Sequence, residues 1–288
     1  MLSNEDEKFL ELYSDSEYEK PSVTVDAVVF RIKSIANSNY RKLPEKKLQV
    51  FLTQRQYPPF KGSYSIIGTF IDLKHELSDT MKLCVKKKVG LKNFYSEQLF
   101  TFGDRARDPR SRILSVSYLL LTDCNEKLIN GEWFDVNLKE VISKIEKIEN
   151  GYIISKTFQL DLVGENTKLT NIIELNVKKD GLETTKSLSV KENSLAFDHI
   201  NIIYYALERL KNKLEYTDLI FNMLPKEFTL TELKQCYEVI LGEKLLDANF
   251  RRKISKMVTP INKYDEAKGH RTSQLFEHNP NWMNVNID

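Results

Sequence analysis

Residues 68–91 read GTFIDLKHELSDTMKLCVKKKVGL, and this stretch decides the fold. Cys84, Lys87 and Lys88 are spaced i, i+3, i+4, so on a helix they share one face. Three carboxylates at that spacing would hold Mg²⁺, a hard cation that wants oxygen ligands. Such a metal would polarise a diphosphate and activate water. A thiol and two ammonium groups do neither. Gly90 and Leu91 close the segment with a turn and an aliphatic residue.

On either side the chain reads as strands. Ser22–Ile32 (SVTVDAVVFRI) and Lys47–Arg55 (KLQVFLTQR) are rich in β-branched and alternating apolar residues. ILSVSYLLL (113–121) is a third strand, and GEWFDV (131–136) a short one before a predicted helix over Leu138–Glu149. Tyr152–Leu162 and Lys168–Val177 are further strands, followed by the hairpin-type turn Asp180-Gly181. Asn37–Lys46 reads as a polar loop. The first twenty residues carry seven acids against Lys8 and Lys20, a short solvated helix or tail.

From Leu195 the periodicity is helical. Phe197, Ile200, Tyr204, Leu207, Leu210 and Leu214 form a stripe that packs on its own domain or on a second copy. A short helix follows over Tyr216–Leu224, closed by Pro225. Thr229-Leu-Thr-Glu232 is a capping box opening a helix over Leu230–Leu241, which Gly242 ends. Asp247 is placed to cap a third helix, ANFRRKISKMV (248–258), apolar at Phe250 and Ile254 and, near its end, Met257 or Val258. Its other face carries Asn249, Arg251, Arg252, Lys253 and Lys256. A turn-rich segment containing Lys268-Gly269 and Arg271 completes the pattern of a winged helix-turn-helix. The charges from Leu195 onward balance, but residues 251–271 hold seven basic residues against Asp265 and Glu266. A basic third helix and wing are where phosphates and the major groove would be met. The plainer alternative is a solvated helix face.

The opening stretch resembles a Nudix box: Gly, five residues, Glu, seven residues, then Arg-Glu-U-x-Glu-Glu-x-Gly-U, where U is aliphatic. The first Gly falls on Thr69, the first Glu on His75, the Arg-Glu pair on Leu83 and Cys84, and the Glu-Glu pair on Lys87 and Lys88. Val85, Gly90 and Leu91 keep the pattern. The family's Gly-Gly-Phe turn is here Gly68-Thr69-Phe70, with Ile66 or Ile67 in place of its proline. Together with FGDRARDPRSR (102–112), LAFDHINIIYYALERLKNKL (195–214) and FTLTELKQCYEVILGEKLLDANFRRKI (228–254), the chain is similar to the NrtR family of Nudix-related transcriptional regulators.

That resemblance implies an α+β chain: an acidic segment over 1–20, a Nudix-like α/β/α sandwich over 21–192, and a linker helix with a winged helix-turn-helix over 193–288. It implies a DNA operator, an effector such as ADP-ribose or a related nucleotide, a homodimer, and a repressor of NAD metabolism. No enzyme, cofactor or metal is expected. Candidate effector residues are Arg55, Lys87, Lys88, Asp104, Arg107, Asp108, Arg110 and Arg112, because arginine forks match diphosphate geometry. Candidate DNA residues are Asn249, Arg251, Arg252, Lys253, Lys256, Lys268 and Arg271. Two other readings remain: a hydrolase using Glu76, Asp79 or Glu97 as replacement carboxylates, and an architectural or RNA-binding protein. The net charge of +2, the lack of a long apolar run and three widely spaced cysteines suit a cytoplasmic protein without membrane spans or disulfides.

Overall fold

The computed structural model describes residues 3–14, 16, 18–36, 44–123, 125, 127–265 and 272–283. Helix α1 (Asn4–Leu12) opens the chain with a capping box between Ser3 and Asp6. Strands β1 (Ser22–Ile35), β2 (Glu45–Gln54), β5 (Tyr95–Phe102), β6 (Ile113–Leu121), β7 (Glu132–Ile148), β8 (Gly151–Val163), β9 (Lys168–Asp180) and β10 (Glu183–Glu192) make one sheet. Their order is β10-β9-β8-β7-β2-β1-β6-β5, with short β3 (Tyr64–Ser65) on β2 and β4 (Ile67–Phe70) on β1. The β1–β6 pair is parallel.

Strand β1 is buried on both faces, and its alternation divides two cores. Val25, Ala27 and Val29 pack with Met81, Val85 and Val89 of α2 (Leu77–Val89). Val28 and Phe30 point the other way, into the cluster that holds Ile200, Ile203 and Leu207 of α3 (His199–Lys213). A helix on each face of the sheet gives the α/β/α sandwich. The α3 stripe is spent within the chain: Ile200, Tyr204, Leu207, Leu210 and Leu214 are all buried.

The DNA-type half begins with a 3-10 turn at Leu219–Met223, shorter than the helix expected over Tyr216–Leu224. Strand β11 (Phe228–Thr229) leads into α4 (Leu230–Leu241), whose Thr229/Glu232 capping box and left-handed Gly242 stand as the sequence requires. Helix α5 (Asp247–Ile254) follows, then β12 (Val258–Asp265) and β13 (Ser273–His278) in a sheet ordered β11-β13-β12. This is a winged helix. It is docked on the sandwich: Lys46 of β2 pairs with Glu232 at 3.3 Å, and the Gln235 amide donates to the Pro44 carbonyl at 3.3 Å.

Three local expectations are corrected. Leu138–Glu149 is not a helix but the outer part of β7, paired with β8 from Asp135↔Val163 to Ile148↔Gly151. Its apolar residues fit either period, and the continuous partner strand decides the outcome over local propensity. The two-residue turn after β9 is Gly181-Leu182, between Asp180 and Glu183, one position later than Asp180-Gly181; Gly181 takes the positive φ of 59°. Asp247 does not cap α5; Leu246 holds the N-cap position, and the Asp247 carboxylate is bound by Lys234. Residues 37–43 of the polar loop, Cys124, Lys268 and Arg271 lie outside the described residues.

Candidate functional site

A cavity of about 570 Å³ opens between β1, β4, the 53–57 segment, the 107–113 segment and the start of α3. Its floor is the carboxylate of Asp26, the one acid inside the apolar run of β1. Asp26 accepts hydrogen bonds from the hydroxyls of Ser115 and of Thr24, the latter at 3.0 Å. Burial pushes its pKa up, against the opposing pull of Ser115, Arg107, Thr24 and Lys88. Asp26 stands opposite Gly68 in the β1–β4 register, and a Cβ on Gly68 would lie 1.9 Å from its Oδ1. Only glycine allows this approach.

Cations ring the mouth. Lys88 reaches back from the last turn of α2 to donate to the Gly68 carbonyl, and its own carbonyl accepts from the Asn130 amide at 2.8 Å. Arg55 donates to the Pro59 carbonyl at 2.8 Å and lies 4.7 Å above the Phe197 ring. Arg110 forks onto Asp108 at 2.7 and 3.0 Å and faces Phe70 and Phe197 at 5.4 and 5.5 Å. Although burial opposes it, the Asp108 carboxyl is held below the usual carboxylate range by the hydrogen bonds and charge of Arg110 and by the charge of Arg107. Arg107 is turned inward. It grips Asp198, the N-cap of α3, through two bonds of 2.8 and 2.9 Å, with side chains only 4% and 14% exposed.

The candidate effector residues therefore separate. Arg55, Lys88, Arg107, Asp108 and Arg110 line the cavity. Lys87 is exposed on α2 outside the lining, Asp104 bonds the Ala106 amide at 2.8 Å, and Arg112 bonds the Gly103 carbonyl at 2.7 Å. Asp26, Thr24, Phe197 and His199 also line it and were not singled out by the sequence reading. Asp26 carried a usable signal, an acid amid strand residues that alternate into two cores. His199 carried none, since nothing local says that the first turn of α3 meets a cavity.

Burial drives the His199 pKa down to about 3. Its imidazole is neutral in the folded chain, whereas unfolding restores a value near 6.5. The unfolded state thus binds the extra proton between these limits, and the folded state loses stability as pH falls from 6.5 toward 3. In His199→Gln the acid side of a Tm-against-pH profile is expected to flatten over that window, as thermal melts of both proteins would show.

A divalent metal, such as three carboxylates at positions 84, 87 and 88 would hold, does not fit the donors present. Cys84 is 8% exposed with its thiol pKa raised by burial, and Lys88 brings a positive charge to the same place. Asp108 is engaged by Arg110, and Asp26 by two hydroxyls. Among the described residues no group of three His, Cys, Asp or Glu side chains is placed to hold a metal ion. The proposed replacement carboxylates are elsewhere: Glu76 precedes α2, Asp79 pairs with Lys82, and Glu97 is held by Lys213 and Arg209. What remains is a cationic mouth faced by Phe70 and Phe197, chemistry suited to a phosphate-bearing ligand with flat rings.

On α5, Phe250 and Ile254 are buried, Phe250 edge-on to Tyr237 at 5.5 Å. Asn249, Arg251, Arg252 and Lys256 are exposed on the opposite side. Lys253 is half-buried, paired with Glu215 at 3.0 Å, and its ammonium lies 5.4 Å from the Tyr237 ring centre. The helix thus presents two arginines and an asparagine from its exposed face, while Lys253 serves the junction with the end of α3.

Residues 220–277 match the family model of the NrtR DNA-binding winged helix domain. The ADPR responsive transcriptional repressor NtrR of Acinetobacter baylyi is 28% identical over 277 residues, covering 94% of this chain and 87% of that protein. A MutT/nudix family protein from Enterococcus faecalis is 24% identical, with a TM-score of 0.66 over 96% of this chain and 93% of its own. Shewanella oneidensis NrtR, solved with a 27mer DNA, is 23% identical, with a TM-score of 0.59 over 91% of this chain and 95% of its own. At these identities the two solved structures speak to the fold. By the winged-helix match, the likeness along nearly the whole chain and the shared two-part fold, this chain is similar to the NrtR regulators.

Proposed function

We propose that this protein is a ligand-responsive, DNA-binding transcriptional regulator whose Nudix-like cavity binds ADP-ribose or a related nucleotide without hydrolysing it. One observation carries the reading: a winged helix with an exposed Arg251/Arg252 face sits in the same chain as an arginine- and lysine-ringed cavity whose donors do not suit a catalytic metal. The name of the Acinetobacter relative supports both the effector and the direction of control, repression. Target genes in NAD metabolism are what the resemblance to the NrtR family implies. The protein acts as a homodimer on a palindromic operator, since paired recognition helices read half-sites about one helical turn apart. Ligand and operator favour different arrangements, and each weakens the other by the same factor.

The test is recovery of genomic DNA fragments by the purified protein at fixed salt, with and without ADP-ribose, beside Arg251→Ala/Arg252→Ala. The expected result is a palindromic site whose affinity drops roughly tenfold or more in the double variant, as the loss of two arginine contacts requires. ADP-ribose should reduce recovery of the same site. Equal recovery by wild type and variant would remove the DNA-binding assignment to α5. Recovery indifferent to ADP-ribose would remove the effector alone. Magnesium-dependent release of AMP from ADP-ribose by the pure protein would overturn the non-catalytic reading.

A further inference from the structure

His199 lines the cavity, is only 6% exposed, and its Nδ1 has no hydrogen-bond partner among the described residues. A buried ring nitrogen left without a partner is costly, and in a native protein it asks for an explanation. Its surroundings supply one. The ring lies 5.2 Å from Phe197, the aromatic that faces Arg55 and Arg110 across the mouth. Those arginines and Lys88 provide charge for phosphates, whereas the neutral imidazole is suited to a neutral polar group such as a ribose hydroxyl.

Position adds the second half. His199 is the first residue of α3, directly after Asp198, which Arg107 clamps. Fourteen residues on, the helix ends at Lys213, whose ammonium binds Glu97 of β5. Glu215, just beyond, holds Lys253 of α5, beside the exposed Arg251 and Arg252. A continuous helix therefore runs from the cavity to the base of the DNA-type helix.

We infer that His199 is a ligand contact, accepting or donating a hydrogen bond to a ribose hydroxyl of the bound nucleotide, and that this contact is where occupancy acts on α3. The inference rests on the nucleotide-effector reading above. It is tested with the full chain by calorimetric titration of ADP-ribose and by operator binding with and without saturating ADP-ribose, for wild type, His199→Phe and His199→Gln. His199→Phe keeps a flat ring against Phe197 and removes both nitrogens.

The expected result is a roughly tenfold loss of ADP-ribose affinity in His199→Phe, the scale of one lost hydrogen bond. His199→Gln should recover part of it. Saturating ADP-ribose should weaken operator binding by a smaller factor in His199→Phe than in wild type. At a pH well above 6.5 the ligand-free Tm and operator affinity should hold, because a purely structural histidine would lower the first. Unchanged ADP-ribose affinity in both variants, with wild type binding normally, overturns the contact while leaving the effector reading intact. Unchanged weakening of operator binding in His199→Phe overturns the coupling. Failure of wild type to bind ADP-ribose overturns the effector reading and this inference with it.

Discussion

Arg107→Ala will lower the stability of this protein by about 3–5 kcal/mol, the range for removing one partner of a buried ion pair. The reason is the pair's setting. The guanidinium is 4% exposed and holds both oxygens of Asp198, so truncation leaves a largely buried carboxylate without its partner. The fall in Tm should be roughly 10 °C, given the scaling for chains of this size. Asp198→Ala should cost a similar amount by stranding the guanidinium. The double variant Arg107→Met/Asp198→Leu should recover most of the loss, since apolar replacements of buried pairs are often neutral. Differential scanning calorimetry on the four proteins checks this. Additive single effects would mean that the two side chains do not work as a pair. The pair ties the 103–112 loop to the N-cap of α3, so ligand affinity should fall in the same variants.

Gly68→Ala should be nearly as damaging, with a cost of about 1–3 kcal/mol from overpacking and a collapse of nucleotide affinity. A methyl group there would meet Asp26 Oδ1 at 1.9 Å and Asp26 Cγ at 3.0 Å, so the carboxylate on the cavity floor must leave its two hydroxyl donors. The Gly68 carbonyl also receives Lys88, and any shift of β4 withdraws that cation from the mouth. The cause is specific, and a double-mutant cycle isolates it. In an Asp26→Ala background the Gly68→Ala penalty should largely vanish, leaving only the 3.3 Å approach to the Val25 carbonyl. A penalty of the same size in both backgrounds would sink the steric account.

Strands β1, β2, β6, β8 and β9 and the winged helix were legible because each carries a local signature. Alternation in β1 assigns Val25, Ala27 and Val29 to one core and Val28 and Phe30 to the other. The Thr229/Glu232 capping box and the Gly242 stop fix both ends of α4. β7 was not legible. Leu138, Val141, Ile142, Ile145 and Ile148 satisfy a helical stripe as well as a strand, and Val141, Ile142 and Ile145 are exposed, so no burial pattern marks the face. The cavity was half legible: the arginines of 102–112 were marked by residue type, but their destinations were not.

Sequence alone determined that the box-like stretch at 84, 87 and 88 carries a thiol and two ammonium groups, because ligand chemistry belongs to the residue type and needs no neighbour. It also determined the strand-rich first part and the helix-turn-helix, because periodicity and capping act within a few residues. The tertiary structure decided the rest. It turned Arg107 inward onto Asp198, turned Arg110 and Lys88 toward the cavity, left Lys87 and Arg112 outside it, and brought His199 to the wall. It also set Lys253 on Glu215, apart from the exposed Arg251 and Arg252. The Arg107–Asp198 and Lys253–Glu215 pairs are 91 and 38 residues apart, and such partners are chosen by which elements pack together. Spacing within any one element leaves that choice open.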